Sequence, residues 1–302
     1  MRKYAEVDSI YMPCSTASPL SILRNCWCTF SKAIKGHYDV IHITGDVHYL
    51  TYALWMFRNV VVTVHDIGHL VHTHKYFKRK FLYFLSVIPL KFATCITFIS
   101  EKTKDEVTGI IDLHKQCIQI IPNPISKRFS FFKKSMNTKS PIVLHIGTGE
   151  NKNLINSIEA LKDMNCELRI IGRLNNRQLE ALNKSGIHYT NSYNLNNEEI
   201  IQEYINCDIV NFPSYYEGFG MPIIEGQAIG RVVVTSNISP MKDISNGSCV
   251  IVDPFNIKSI KRGYIEAINN NDYYVRNGLV NVKRFAVNTI ANKYIDLYRT
   301  MS

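Results

Sequence analysis

The residues best suited to chemistry lie in Phe212–Gly230, FPSYYEGFGMPIIEGQAIG. Glu217 and Glu225 stand eight positions apart, the first in a glycine-containing loop and the second expected in the first turn of the helix that this loop opens. A carboxylate in such a place can accept two hydrogen bonds from a vicinal diol such as a ribose. Gly218 and Gly220 let the backbone turn tightly and come close to a ligand. Pro222 falls where a first-turn proline is tolerated. The free N–H groups of the helix start favour an anion or a hydroxyl. Plainer readings stand beside these: a dipole-stabilised acid for Glu225 and a solvated loop acid for Glu217.

The first half of the chain offers a second set. His65 and Asp66 directly follow the apolar run NVVVTV and fall at the C-terminal edge of a sheet. Gly45, Asp46 and His48 lie in HITGDVHYL, also after a strand-like run, and are candidates for an acceptor pocket or ordinary turn residues. Histidines recur at 65, 69, 72 and 74, but Gly68 interrupts any helix there and Asp66 is the one nearby acid, so no metal site is expected. Gly147-Thr148-Gly149 fits neither a Walker A loop nor G-x-G-x-x-G, which removes support for a kinase or a nicotinamide enzyme.

The elements that must position these groups are legible as short β-branched runs alternating with helical stretches. Strands are expected at 7–12, 38–43, 59–64, 95–99 and 117–121, then at 141–146, 166–171, 187–190, 207–212, 231–235 and 249–252. Most are apolar on consecutive residues, as in parallel strands covered on both faces. Helical patterns fill the gaps at 76–92, 151–164, 196–206 and 256–270, and a long one closes the chain at 272–301. Two such βαβ blocks imply an α/β fold of two doubly wound domains, with ligands at the C-terminal ends of the strands and a cleft between the domains. The basic, polar stretch SKRFSFFKKSMNTKS (126–140) separates them. The expected domains are 1–130 and 138–284, with a C-terminal helix at about 285–302 packing back on the first.

Composition narrows the class of partner. The 302 residues are 46% hydrophobic and 20% charged, which excludes collagen, low-complexity disorder and a disulfide-stapled miniprotein. Thirty-five Lys plus Arg against 25 Asp plus Glu leaves +10, a charge suited to an anionic partner. The basic residues are dispersed, and no helix-turn-helix, RNP or zinc signature appears, so nucleic acid is not expected. Eight cysteines without metal-type spacing, and an N-terminus without an apolar signal region, point to a reducing, cytoplasmic setting. Pro89 and Lys91 interrupt the one long apolar stretch, 81–100, so a bilayer span is not expected. HTHKYFKRKFLYFL (72–85) interleaves basic and aromatic residues. It suits either peripheral contact with an anionic inner membrane face or a solvated basic helix face.

In this context Phe212–Gly230 resembles the E-x7-E signature of the retaining GT-B glycosyltransferases of family 4, the glycosyl transferases group 1. IVLHIGTGENKN (142–153), VVVTSNISPMKDISNGSCVIVDP (232–254), VVTVHDIGHL (61–70), ITFISEKTKDEV (96–107) and IIPNPISKRF (120–129) are similar to the family's other landmarks, in order. The resemblance implies two Rossmann-like domains facing a central cleft. It also implies transfer of a sugar, with retention, from a nucleoside diphosphate sugar to a hydroxyl of a carbohydrate or lipid-linked acceptor, in making surface polysaccharide or glycolipid. It further implies that no cofactor or metal is required. Glu225 would hold the donor ribose, Glu217 and the Gly218–Phe219–Gly220–Met221 backbone the donor sugar, and Lys152 the diphosphate beside Gly147 and Thr148. His65 would approach the reacting carbon.

The chain departs from the pattern in places. Thr148 stands where many members carry Arg, Asn151 where another base often precedes the lysine, and Lys242-Asp243 where Pro-Glu is usual. Lys152 is then the one obvious cation of the phosphate site, with Arg173 after Gly172 a candidate substitute. The family opens with a strand and glycine loop ahead of what matches residue 7, so either the N-terminal domain is shortened, or Met1 is not the full start, or the chain is not an active enzyme. A second reading follows from that, a weak or inactive subunit that works with a partner.

Overall fold

The structure is a computed structural model that describes residues 6–15, 18–71, 73 and 75–301. The chain divides into two compact units, 1–122 with 290–302, and 123–289.

The first unit holds a parallel sheet of β1 (Ile41–Ile43), β2 (Val60–Val64), β3 (Cys95–Phe98) and β4 (Cys117–Ile120), side by side in that order. β2 and β3 are buried at every residue, which is why their sequences run apolar without alternation. Helix α1 (Pro19–Gly36) precedes β1, a 3-10 helix (His48–Leu54) joins β1 to β2, α2 (Gly68–Val71) and α3 (Tyr76–Ser86) lie between β2 and β3, and α4 (Glu101–Thr108) lies between β3 and β4. Ser18 caps α1 and Ser100 caps α4, each through its hydroxyl at 3.2 Å from a first-turn N–H.

The second unit holds six parallel strands: β5 (Ile142–Ile146), β6 (Glu167–Ile171), β7 (His188–Ser192), β8 (Ile209–Phe212), β9 (Val232–Ser236) and β10 (Val250–Val252). Their order is β10-β9-β8-β5-β6-β7. The chain winds outward one way from β5 and the other way from β8, so the order reverses between these neighbours, and α/β sheets bind ligands beyond such a reversal. Around the sheet lie α5 (Leu154–Leu161), α6 (Asn176–Ser185), α7 (Asn197–Asn206), α8 (Met221–Ile229), α9 (Met241–Ser245), α10 (Ile257–Asn269) and α11 (Asn271–Asn281). Two capping boxes, Asn175 with Gln178 and Asn196 with Glu199, start α6 and α7. α12 (Val287–Arg299) follows, and its Ile290 and Leu297 pack with Val61, Cys95 and Ile121 of the first unit.

Four expectations change. Residues 7–12 form no strand; the segment lies along α1, where the Asn25 side chain takes both the N–H and the C=O of Cys14 at 3.1 and 3.0 Å. The helix expected over 76–92 stops at Ser86, and a 3-10 turn over Ile88–Phe92 carries Pro89, whose ring cannot continue an α-helix. Asn153 adopts φ +61°, so the next helix begins at Leu154 rather than at 151. The closing pattern breaks at Ala286, which leaves helical geometry and pairs with Ile125.

The stretch 126–140 forms no helix or strand but is tied into the second unit. Phe132 N–H donates to the Ile229 carbonyl at 3.1 Å, and Arg231 donates to the Phe132 carbonyl at 2.9 Å. Lys134 pairs with the buried Asp208, which also accepts from the Ile142 N–H at 2.9 Å.

Candidate functional site

The reversal between β5 and β8 sets the site, because two loops leave the sheet there. The loop after β5 runs from Gly147 to Asn153, and that after β8 from Pro213 to Gly220. Asn153 joins them: its side-chain N–H groups donate to the Pro213 carbonyl at 2.9 Å and to the Pro254 carbonyl at 2.8 Å. The Tyr215 N–H donates to the Asn151 carbonyl at 2.8 Å, closing the seam.

Lys152 and Glu217 meet across that seam. Lys152 Nζ lies 2.7 Å from Glu217 Oε1, with 23% and 14% of their side chains exposed. Nζ also sits 5.0 Å from the centroid of Phe212, a cation–π distance. Asn151 Nδ2 donates to the Tyr216 carbonyl at 3.0 Å and reaches Glu217 Oε1 at 3.4 Å. The lysine stem can take this course because Gly147 has no side chain. A Cβ there would stand 3.0–3.3 Å from Lys152 Cγ, Cδ and Cε, and the backbone holds φ +89°. An ammonium and a carboxylate, each partly open to solvent at the C-terminal end of the strands, form a polar pair able to engage an anion and a hydroxyl ligand respectively.

Glu225 lies on α8, which the same loop opens. It is the fifth residue of that helix, beyond the first turn expected for it, so the dipole does little there. Burial raises its pKa above the ordinary carboxylate value, and a hydrogen bond from Tyr204 opposes the rise. That bond runs from Tyr204 Oη to Glu225 Oε2 at 2.5 Å. Gly220 is the residue before the helix, at φ +127°. Gly218 and Met221 flank it half-buried, whereas Phe219 is buried with its ring edge-on to Phe285 at 5.7 Å. Thr148 uses its hydroxyl on the Arg173 carbonyl at 2.6 Å, and its own carbonyl accepts from Gln178 at 2.7 Å. The Arg173 guanidinium lies over Tyr193, 5.3 Å from the ring centroid.

Below the loops runs a chain of buried polar groups. Tyr264 Oη donates to Asn211 Oδ1 at 2.9 Å, and Asn211 Nδ2 donates to His145 Nδ1 at 2.9 Å. Burial, then the nearby Lys152, lowers the His145 pKa to about 3, so this imidazole is neutral.

In the first unit, His65 Nε2 is 2.8 Å from the Thr44 carbonyl, and Asp66 Oδ1 accepts from the Gly68 N–H at 2.8 Å. Gly45 and Asp46 follow β1, with Asp46 exposed. His48 is buried, with Nδ1 2.7 Å from the Ser86 carbonyl and its pKa lowered chiefly by burial. That places it between elements of the core. Among the described residues no group of three or more His, Cys, Asp or Glu is gathered as for a metal. His72 and His74 lie outside the described residues.

Sequence reasoning had no means of finding Tyr204, 21 positions before Glu225 on another helix, or the ring of Phe212 under Lys152. Neither contact follows from a local spacing.

Two parallel-sheet α/β units, the second doubly wound with a lysine–carboxylate pair at its strand-order reversal, define a protein of the GT-B glycosyltransferase architecture. A model described as glycosyl transferases group 1 matches residues 126–278, and one described as glycosyltransferase family 4 matches 4–128. The chain belongs to the glycosyl transferases group 1 family and is a glycosyltransferase.

Among curated relatives, the O-antigen chain mannosyltransferase RfbU of Salmonella typhimurium is 24% identical over 253 residues, 78% of this chain and 70% of that one. An N,N'-diacetylbacillosaminyl-diphospho-undecaprenol alpha-1,3-N-acetylgalactosaminyltransferase of Campylobacter jejuni is 33% identical over 120 residues, 37% of this chain and 31% of that one. Among solved structures, sucrose-phosphate synthase from Thermosynechococcus elongatus superposes with a TM-score of 0.78 at 17% identity, covering 93% of this chain and 78% of that one.

Proposed function

We propose that this glycosyltransferase moves a sugar from a nucleoside diphosphate sugar to a hydroxyl of a lipid-linked or carbohydrate acceptor, with retention of configuration, in the making of a surface polysaccharide. The activities of the two curated relatives, an O-antigen mannosyltransferase and a transferase named for a diphospho-undecaprenol glycan, support the acceptor class. The observation that carries the donor reading is the Lys152–Glu217 contact at the reversal between β5 and β8, with Glu225 on the helix that follows.

The chemistry is a problem of charge. As the bond from the sugar to the diphosphate breaks, negative charge grows on the departing phosphate and positive charge on the ring. In this reading Lys152 turns from Glu217 to the diphosphate and stabilises the first, an effect worth about 3 kcal/mol where such donors have been removed. Glu217 is then released to accept from the donor sugar. Glu225 accepts from the two ribose hydroxyls. The site offers no second carboxylate as a nucleophile in this reading, so the acceptor attacks on the face the diphosphate leaves. His65, Asp66, Gly45 and Asp46 are proposed to line the acceptor side, and the chemistry requires no metal.

Helix α3 is proposed to rest on an anionic membrane. Tyr76, Phe77, Phe81 and Phe84 are exposed on it among Lys78, Arg79 and Lys80. No acid occurs between Asp66 and Glu101. Anionic vesicles at low salt are expected to sediment the protein, and failure to do so removes this element.

Calorimetry with UDP, GDP and ADP tests the donor reading. Glu225→Ala is expected to weaken the best-binding nucleotide about a hundredfold, the loss of two hydrogen bonds to a charged acceptor. Unchanged affinity would overturn it.

A further inference from the structure

Tyr204 is fully buried at 0% exposure, yet its hydroxyl points at a carboxylate rather than at a backbone group. It sits near the end of α7, and its ring meets Phe129 edge-on, with centroids 5.4 Å apart and planes at 85°. Phe129 belongs to the irregular stretch that binds this unit together, so the tyrosine is held from both sides. A buried tyrosine so packed has no freedom to swing its hydroxyl. Among the described residues its partner, Glu225 on α8, is held along one oxygen: Oε2 takes the Tyr204 bond at 2.5 Å.

We propose that Tyr204 is a positioning residue for the donor site: its hydroxyl fixes the plane of the Glu225 carboxylate through Oε2 and presents Oε1 to the nucleotide ribose. This rests on the reading of Glu225 as the diol-binding group. The arrangement does two things at once. It sets the direction of the free oxygen, and it donates to the ionised form of a carboxyl that its surroundings disfavour. Burial raises the Glu225 pKa, and the Tyr204 bond works against that rise. Among the described residues no other group is seen to bear on the Glu225 charge. Arg231, Lys134, Asp208 and Glu203 act on Cys207 at the end of α7, which in turn bears on Tyr204 and not on Glu225.

A diol is bound more tightly by the carboxylate than by the neutral acid, so affinity rises with pH through the pKa of Glu225. Removing the hydroxyl lets burial act unopposed, and the rise moves to higher pH. The test is Tyr204→Phe, one oxygen smaller with the ring packing kept, measured by calorimetry from pH 5.5 to 8.5 with whichever of UDP, GDP or ADP binds the wild-type chain best. Affinity is expected to fall about tenfold near the acid end, one hydrogen bond to a charged group, and to recover part of that loss at the alkaline end. Any activity change should appear in KM for the donor, with kcat little altered.

Glu225→Ala separates the two claims. If it leaves nucleotide affinity unchanged, or if none of the three nucleotides binds the wild type, the donor reading fails and this inference with it. If Glu225→Ala loses affinity while Tyr204→Phe matches the wild type at every pH, the positioning role alone is overturned. A Tyr204→Phe loss that is equal at all pH values, or a variant that no longer folds, would also overturn it, because the hydroxyl would then serve the fold.

Discussion

Replacing Gly147 by alanine tests whether the course of the Lys152 stem decides the site. Two penalties add. The backbone at Gly147 holds φ +89°, where an L side chain costs about 1–2 kcal/mol. The new Cβ would also stand 3.0 Å from Lys152 Cε, 3.1 Å from Cγ and 3.3 Å from Cδ. These are atoms of a flexible side chain, so the lysine moves rather than the sheet, and Nζ leaves its place 2.7 Å from Glu217 and 5.0 Å from the Phe212 ring. For a unit of this size the first penalty lowers Tm by roughly 2–8 °C. Displacing the cation by about 1 Å lowers donor turnover about a hundredfold.

Gly186→Ala supplies the comparison. Gly186 ends α6 at φ +66° and a Cβ there meets nothing within 4 Å, so it carries the backbone penalty alone. Both variants are to be followed by thermal melts and by release of nucleoside diphosphate from a panel of sugar donors. The expected result is a similar Tm loss with turnover lost in Gly147→Ala only. Equal turnover in the two variants would refute the reasoning, because the stem would then not be what positions the ammonium.

Three further outcomes are expected. Asn153→Ala leaves the Pro213 carbonyl without its donor, takes from the Pro254 carbonyl one of two (Asn156 remains at 3.1 Å) and places alanine at φ +61°, so urea unfolding should show a loss of about 2 kcal/mol, with weakened nucleotide binding as the two loops part. Asp208→Ala strips a side chain that is 1% exposed from Lys134 and from the Ile142 N–H, and should cost about 3 kcal/mol in the same assay. Acid should destabilise both units. Burial, followed by His65, lowers the His42 pKa to about 4, and burial with Lys152 lowers that of His145 to about 3. Unfolded histidines, with pKa near 6.5, take up protons first, so stability is lost as pH falls from about 6.5 toward 4. About 2 kcal/mol per histidine is gone by pH 5, to be read from urea midpoints at pH 7 and 5.

The apolar runs marked most strands to within a residue or two, because a strand covered on both faces must be apolar throughout. The run at 7–12 looked similar and is not a strand, since Asn25 holds Cys14 against α1 and the segment has no place in the sheet. The capping boxes of α6 and α7 are local and were open to reading, whereas the break at Ala286 depends on pairing with Ile125, 161 positions away in sequence.

The same division holds at the site. Spacing alone placed Glu217 in a loop and Glu225 on the helix it opens, because glycines, a proline and helix periodicity act over a few residues. That Lys152 meets Glu217 was decided by the β5–β8 pairing, which brings two loops 65 residues apart to one edge. Tyr204 reached Glu225 for a like reason, through the packing of α7 on α8. Local sequence sets which conformations a segment prefers. Contacts between distant segments exist only once the sheet is assembled, and the direction of each functional group, with the ionisation of Glu225 and His145, depends on those contacts.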